Sequence, residues 1–180
     1  KYTYSKIEGL DFYNQIFEQL QASKNFQFRT ETYLSHREHN VSVEVQTKNN
    51  IYSAEKLFTS ILPPERLEKQ TQFPVLQQHF IGWEVETPSS VFDPEIATFM
   101  DFDIPQRGNT RFMYVLPTAK NKALVEYTLF SEKLLPKAEY EIAIQEYLEE
   151  LGVTEYTIHS EEQGSIPMTA FPFEQFNSKN

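Results

Sequence analysis

Apolar residues in the first part of the chain recur with two different periods. Phe12, Ile16, Phe17 and Leu20 return every three to four residues, which predicts an amphipathic helix over residues 11–22. Phe26-Gln27-Phe28 then opens a β region, where Val41, Val43 and Val45 alternate with Ser42, Glu44 and Gln46 as in a half-buried strand. Lys48-Asn49-Asn50 predicts a turn, because Asn tolerates left-handed backbone angles, and Ile51-Tyr52 begins the return strand. A short apolar run over residues 57–61 stops at Pro63-Pro64, and residues 65–73 read as a polar connector.

The second half is richer in strands. Phe80, Gly82, Glu84 and Glu86 alternate with Ile81, Trp83 and Val85, and β-type runs follow at residues 97–102, 110–116 and 123–130. The short connections between these runs favour antiparallel neighbours. Pro136 marks the start of a second helix, Tyr140, Ile144, Tyr147, Leu148 and Leu151 form its apolar stripe, and Gly152 is its stop. Residues 156–159 read as a last strand. The pattern implies an α+β fold, a mostly antiparallel sheet with two or three helices on one face, leaving the other face to line a cavity or meet another domain.

Composition narrows the function. The chain has 180 residues, 39% hydrophobic and 14% aromatic, which fits a folded globular domain. A net charge of -10 opposes nucleic-acid binding, because phosphates need a basic face. Cys is absent, which excludes disulfides and thiolate metal sites. No apolar run reaches the roughly 20 residues that span a bilayer, so a cytoplasmic protein with at most peripheral membrane contact is expected. None of the five Gly sits in a phosphate-cradling loop. The four His are dispersed along the chain, and no metal site is expected. No Ser lies in a nucleophile-elbow context.

The informative feature is acid set within apolar strands. Glu126 shares a strand face with Leu124, Thr128 and Phe130, while Val125, Tyr127 and Leu129 take the other. Asp101 lies between Met100 and Phe102 on the run at 97–102. A meander of the three runs would bring the two carboxylates a strand or two apart on one sheet face. A carboxyl held against apolar groups keeps its proton to higher pH and can act as a general acid. The plainer reading is a Glu126 facing water from an ordinary half-buried strand, and both stand at this level. Trp83, Phe99, Phe102, Phe112, Tyr114 and Tyr127 also lie on predicted strands. They read either as core or as π faces that line an apolar tunnel and stabilise a carbocation.

Residues 78–86 (QHFIGWEVE), 97–102 (ATFMDF), 111–117 (RFMYVLP) and 123–131 (ALVEYTLFS), in that order and spacing, resemble the central part of the flavin-dependent lycopene cyclases, most closely the bacterial branch. Gly164-Ser165-Ile166-Pro167-Met168-Thr169 resembles the segment just upstream of that family's second flavin-binding stretch. The resemblance implies a flavin domain interrupted by a substrate domain, as in hydroxybenzoate hydroxylase. Residues 1–61 would then belong partly to an incomplete flavin domain, and residues 62–180 to the substrate-binding sheet. The start at Lys1 and the unremarkable C-terminal end read as those of a fragment.

The implied chemistry is cyclisation of a polyene end group without net redox change. It uses reduced FAD kept reduced by NAD(P)H in the full-length protein, with none expected bound to this fragment. By resemblance Glu126 is the essential acid, Asp101 a second-rank candidate, and Trp83, Phe99, Phe112, Tyr114 and Tyr127 line the apolar polyene substrate. Two positions depart from the family pattern: Tyr127 stands where many members have a second acid, and Asp103 where many have Arg or a similar group. The rival readings are the substrate domain of a flavin monooxygenase or isoprenoid reductase, and a non-catalytic module for an apolar ligand or a partner protein.

Overall fold

The computed structural model describes residues 3, 5–61 and 70–172. Among these, residues up to 61 together with Pro172 belong to one compact unit, and residues 70–171 to a second.

The first unit contains helix α1 (Gly9–Ala22) and strands β1 (Tyr33–Glu38), β2 (Val43–Thr47) and β3 (Ile51–Ala54), paired as an antiparallel sheet in the order β1-β2-β3. The helix and the turn at 48–50 fall where the apolar periods place them. Residues 26–28 are not in a strand, and Val41 lies outside β2, 83% exposed. The run at 57–61 forms no strand either, and Phe58 is 90% exposed. Among the described residues no strand pairs with these segments, and period without pairing does not make a sheet. Of the predicted connector, residues 65–69 lie outside the described residues.

The second unit is a five-stranded antiparallel sheet in the order β5-β6-β7-β4-β8, built from β4 (Val75–Glu86), β5 (Thr98–Asp101), β6 (Arg111–Ala119), β7 (Lys122–Ser131) and β8 (Thr157–Thr169). Helix α2 (Lys137–Glu150) packs on β7 and β4. Its Tyr140, Ile144, Tyr147 and Leu148 are buried against Ile81, Trp83, Val85, Met113, Val115, Val125, Tyr127 and Leu129 of the sheet. Leu151, expected in that stripe, is 43% exposed. The helix ends by bonding Val153 N–H to Leu148 O and Gly152 N–H to Glu149 O, with Gly152 in the left-handed region (φ 78°).

The α+β class and the β5-β6-β7 meander match the sequence pattern. Three points differ. Strands are divided between two sheets, one described helix covers one face of the larger sheet, and β8 extends far past residue 159. Almost every residue of β8 is exposed, so no apolar period marks it. As an edge strand it is held by its ladder to β4, which runs from Val75↔Thr169 to Glu86↔Thr157.

Candidate functional site

Period-two geometry gives the five-stranded sheet two chemically distinct faces. One, under α2, is the aliphatic core. The other carries Glu126 in the middle of β7, and the register places Tyr114 of β6 and Gly82 of β4 directly across from it. Directly paired residues point to the same side of a sheet, so Glu126 has a phenol on one flank and a bare glycine on the other. One step along the ladder, Thr128 lies between Phe112 and Phe80.

Six aromatic rings stand on this face. Tyr114 packs on Phe99 and Phe112, with ring centroids 5.2 and 5.1 Å apart. Phe112 also meets Phe102 at 5.4 Å and Phe130 at 6.2 Å. Phe112 is fully buried, whereas Phe99 and Phe102 are 58% and 49% exposed. On the other flank Phe80 lies against Gly164 of β8. A Cβ on Gly164 would stand 2.6 Å from that ring, so any other residue would make the ring shift.

Glu126 is half-buried, and the fully buried Thr128 hydroxyl donates to its Oε1 at 2.5 Å. Burial pushes the Glu126 carboxyl up to about 7, and the charge and hydrogen bond of Glu162 push the same way, against the Thr128 donor. Glu126 therefore holds its proton to higher pH than an ordinary Glu.

Asp101 does not join Glu126. The ladder between β5 and β6 pairs Thr98 with Val115 and Asp101 with Met113, and its register shifts between them at Met100, which is left-handed (φ 62°). That extra residue breaks the alternation. Phe99 and Phe102 turn to the Glu126 face, and Asp101 turns to the helix face. There Asp101 accepts the Tyr147 hydroxyl at 2.8 Å and the Asp103 N–H at 2.9 Å. Burial and the Asp101 carboxylate raise the Tyr147 hydroxyl above its ordinary value. Asp101 is a structural acceptor, and the expected sharing of one face with Glu126 is corrected.

Trp83 and Tyr127 lie on the sheet face opposite Glu126. Both are 3% exposed in the core under α2. Trp83 donates to Glu161 at 3.2 Å, and Tyr127 accepts from Arg111 at 2.8 Å. Tyr114 is paired with Glu126, and Phe99 and Phe112 pack against Tyr114. The second carboxylate near Glu126 is Glu162 of β8, which sequence pattern did not single out. Its only signal was Gly82, a residue without a side chain at the centre of an apolar strand.

A cleft of about 400 Å³ opens on the helix side between Ile104, Met113, Tyr127, Glu146 and Tyr147, opposite Glu126. It offers carboxylates at its rim and does not adjoin the acid. His79, expected to stand alone, is buried in a chain of hydrogen bonds. The Ser131 hydroxyl donates to Lys133 O, so Nε2 of His79 must donate to Ser131, and Nδ1 accepts from Tyr140. Burial and the nearby Arg111 cation lower its pKa, and a neutral imidazole suits this role. Among the described residues no three His, Asp or Glu side chains converge on a metal position, and no helix is long and apolar enough to cross a membrane.

A half-buried carboxyl of raised pKa thus lies on an aromatic sheet face. The family model described as lycopene cyclase protein matches residues 1–180, and the chain belongs to that family. Its general function therefore lies in carotenoid cyclisation. Neither a curated protein nor a solved structure gives a significant match.

Proposed function

We propose that Glu126 is the general acid of lycopene cyclisation, giving its proton to the terminal double bond of the polyene. With Thr128 donating to Oε1, the acidic hydrogen sits on Oε2. Protonation of the alkene leaves a tertiary carbocation and a Glu126 carboxylate. The π electrons of a neighbouring double bond then form the ring bond, and loss of one proton restores an alkene. One proton enters and one leaves, so the product is an isomer of the substrate.

Phe99 and Tyr114 stand on the Glu126 face with the buried Phe112 packed against Tyr114, and in this reading their π faces stabilise the developing positive charge. The observation that carries this reading is the coincidence of a carboxyl raised to about 7 with an aromatic face.

The described residues do not fit a dinucleotide. Both sheets are antiparallel, and no glycine-rich turn links a described strand to a helix N-terminus. Reduced FAD, with NAD(P)H as its reductant, stays in the proposal for the full-length protein only, and no step runs through it. Substrate dissolved in a membrane would be reached by peripheral contact through apolar surface.

The test is cyclisation of lycopene by the full-length protein under reducing conditions, wild type against Glu126→Gln. Loss of ring formation with a folded variant supports the assignment; retained cyclisation removes Glu126 from the reaction. A product heavier by oxygen or hydrogen, in place of an isomer, would move the protein to the monooxygenase or reductase class.

A further inference from the structure

Gly82 is paired with Glu126 on one side and with Glu162 on the other. The two glutamates thus stand two strands apart, roughly 10 Å between backbones, with one residue between them. Any side chain on that residue would fill the gap. A Cβ built on Gly82 meets Glu162 Cγ at 3.2 Å, Glu126 Cβ at 3.3 Å and Leu124 Cδ1 at 3.1 Å. The Glu162 stem therefore leans across the bare backbone towards β7, close enough that its charge raises the Glu126 carboxyl. Two carboxylates only accept hydrogen bonds, so a direct bond between this pair needs one of them to hold a proton.

The two differ in access to water: Glu162 is exposed and Glu126 half-buried. The other charged groups on this face are engaged elsewhere. Glu84 accepts from Ser160, and Glu86 is bound by Lys122 and His159. Tyr114, across from Glu126 on β6, completes the titratable neighbours.

We infer that Glu162 is the positioning and proton-supplying partner of Glu126, the pair holding one proton over Gly82 and passing it from solvent to the substrate. This rests on Glu126 being the acid. After Glu126 has protonated the alkene it is a carboxylate. Glu162, protonated from water, hands its hydrogen across and is itself recharged from solvent, while the proton lost from the cyclised cation leaves to water. No oxidant or reductant enters.

The experiment compares wild type, Glu126→Gln, Glu162→Gln and Gly82→Ala in the full-length protein. It reads the pH dependence of kcat/KM on lycopene and, independently of turnover, the pH midpoint of the protonated-carboxyl infrared band. Glu162 is exposed, so its substitution leaves folding intact, and near-ultraviolet circular dichroism checks Gly82→Ala. The expected result is a band missing in Glu126→Gln. In Glu162→Gln its midpoint falls by about one pH unit, with turnover at slightly alkaline pH reduced roughly tenfold. Gly82→Ala, whose methyl must displace the Glu162 stem, should shift the same way. An inactive Glu126→Gln beside an unshifted, fully active Glu162→Gln overturns the inference alone. A fully active Glu126→Gln overturns the reading of the site and the inference with it.

Discussion

Thr128 and Glu126, two residues apart on β7, share the free sheet face and are joined by a 2.5 Å hydrogen bond from the threonine hydroxyl to the carboxyl oxygen. The bond does two opposed things. It leaves the other oxygen to carry an acidic hydrogen, and it favours the ionised form that the proposed acid catalysis must avoid.

Thr128→Val keeps the shape and removes the donor. The Glu126 carboxyl should then titrate above its present value of about 7, because the largest influence lowering it is gone. Activity that needs the protonated acid is lost as pH rises through this value. The alkaline limb of the rate profile should therefore move to higher pH, opposite to the shift expected for Glu162→Gln. A limb that stays put would show that the hydroxyl does not bond the acid in solution.

Glu126 also makes stability depend on pH. Its folded-state value of about 7 lies above the ordinary 4.5, so the folded protein binds the proton more tightly than the unfolded chain. Stability is then highest below pH 4.5 as far as this group is concerned, and falls as pH rises towards 7. Glu126→Gln, neutral throughout, should raise Tm at pH 8 and leave it nearly unchanged at pH 4.5. The difference, allowing for partial exposure, should be on the order of 1–2 kcal/mol. Equal shifts at both pH values would mean that the carboxyl is not held protonated.

Asp101→Ala should unfold more easily and still form rings. It strips an acceptor from the Tyr147 hydroxyl and the Asp103 N–H, a loss of about 1–3 kcal/mol read as a lower denaturation midpoint. Lycopene conversion per folded molecule should stay at the wild-type level. A selective loss of turnover would return Asp101 to the reaction.

Phe99 and Trp83 should separate substrate contact from core. Phe99→Ala removes a ring that is 58% exposed, so stability should change by less than about 1 kcal/mol. Turnover should fall about tenfold, the scale of one cation–π contact. Trp83→Ala empties a buried position and should cost about 3–5 kcal/mol without altering the product. Parallel chemical denaturation and product assays of both variants check the contrast.

The amino-acid pattern alone marked the strands of the meander, the helix from Pro136 to Gly152, and Glu126 as the acid among apolar residues. Those features are local: a period of two or 3.6 is written in neighbouring side chains, and a face follows from it. Asp101 was misplaced because one left-handed residue, Met100, shifts the β5 register and reverses every side chain after it, a change that residue types at 97–102 do not encode. Glu162 was invisible because β8 is a polar edge strand without an apolar period, brought near Glu126 because both pair with Gly82 of β4. Sequence determined which groups exist and which way each strand divides them. Folding decided which carboxylates meet, because a contact between distant strands depends on register and on the empty space above Gly82.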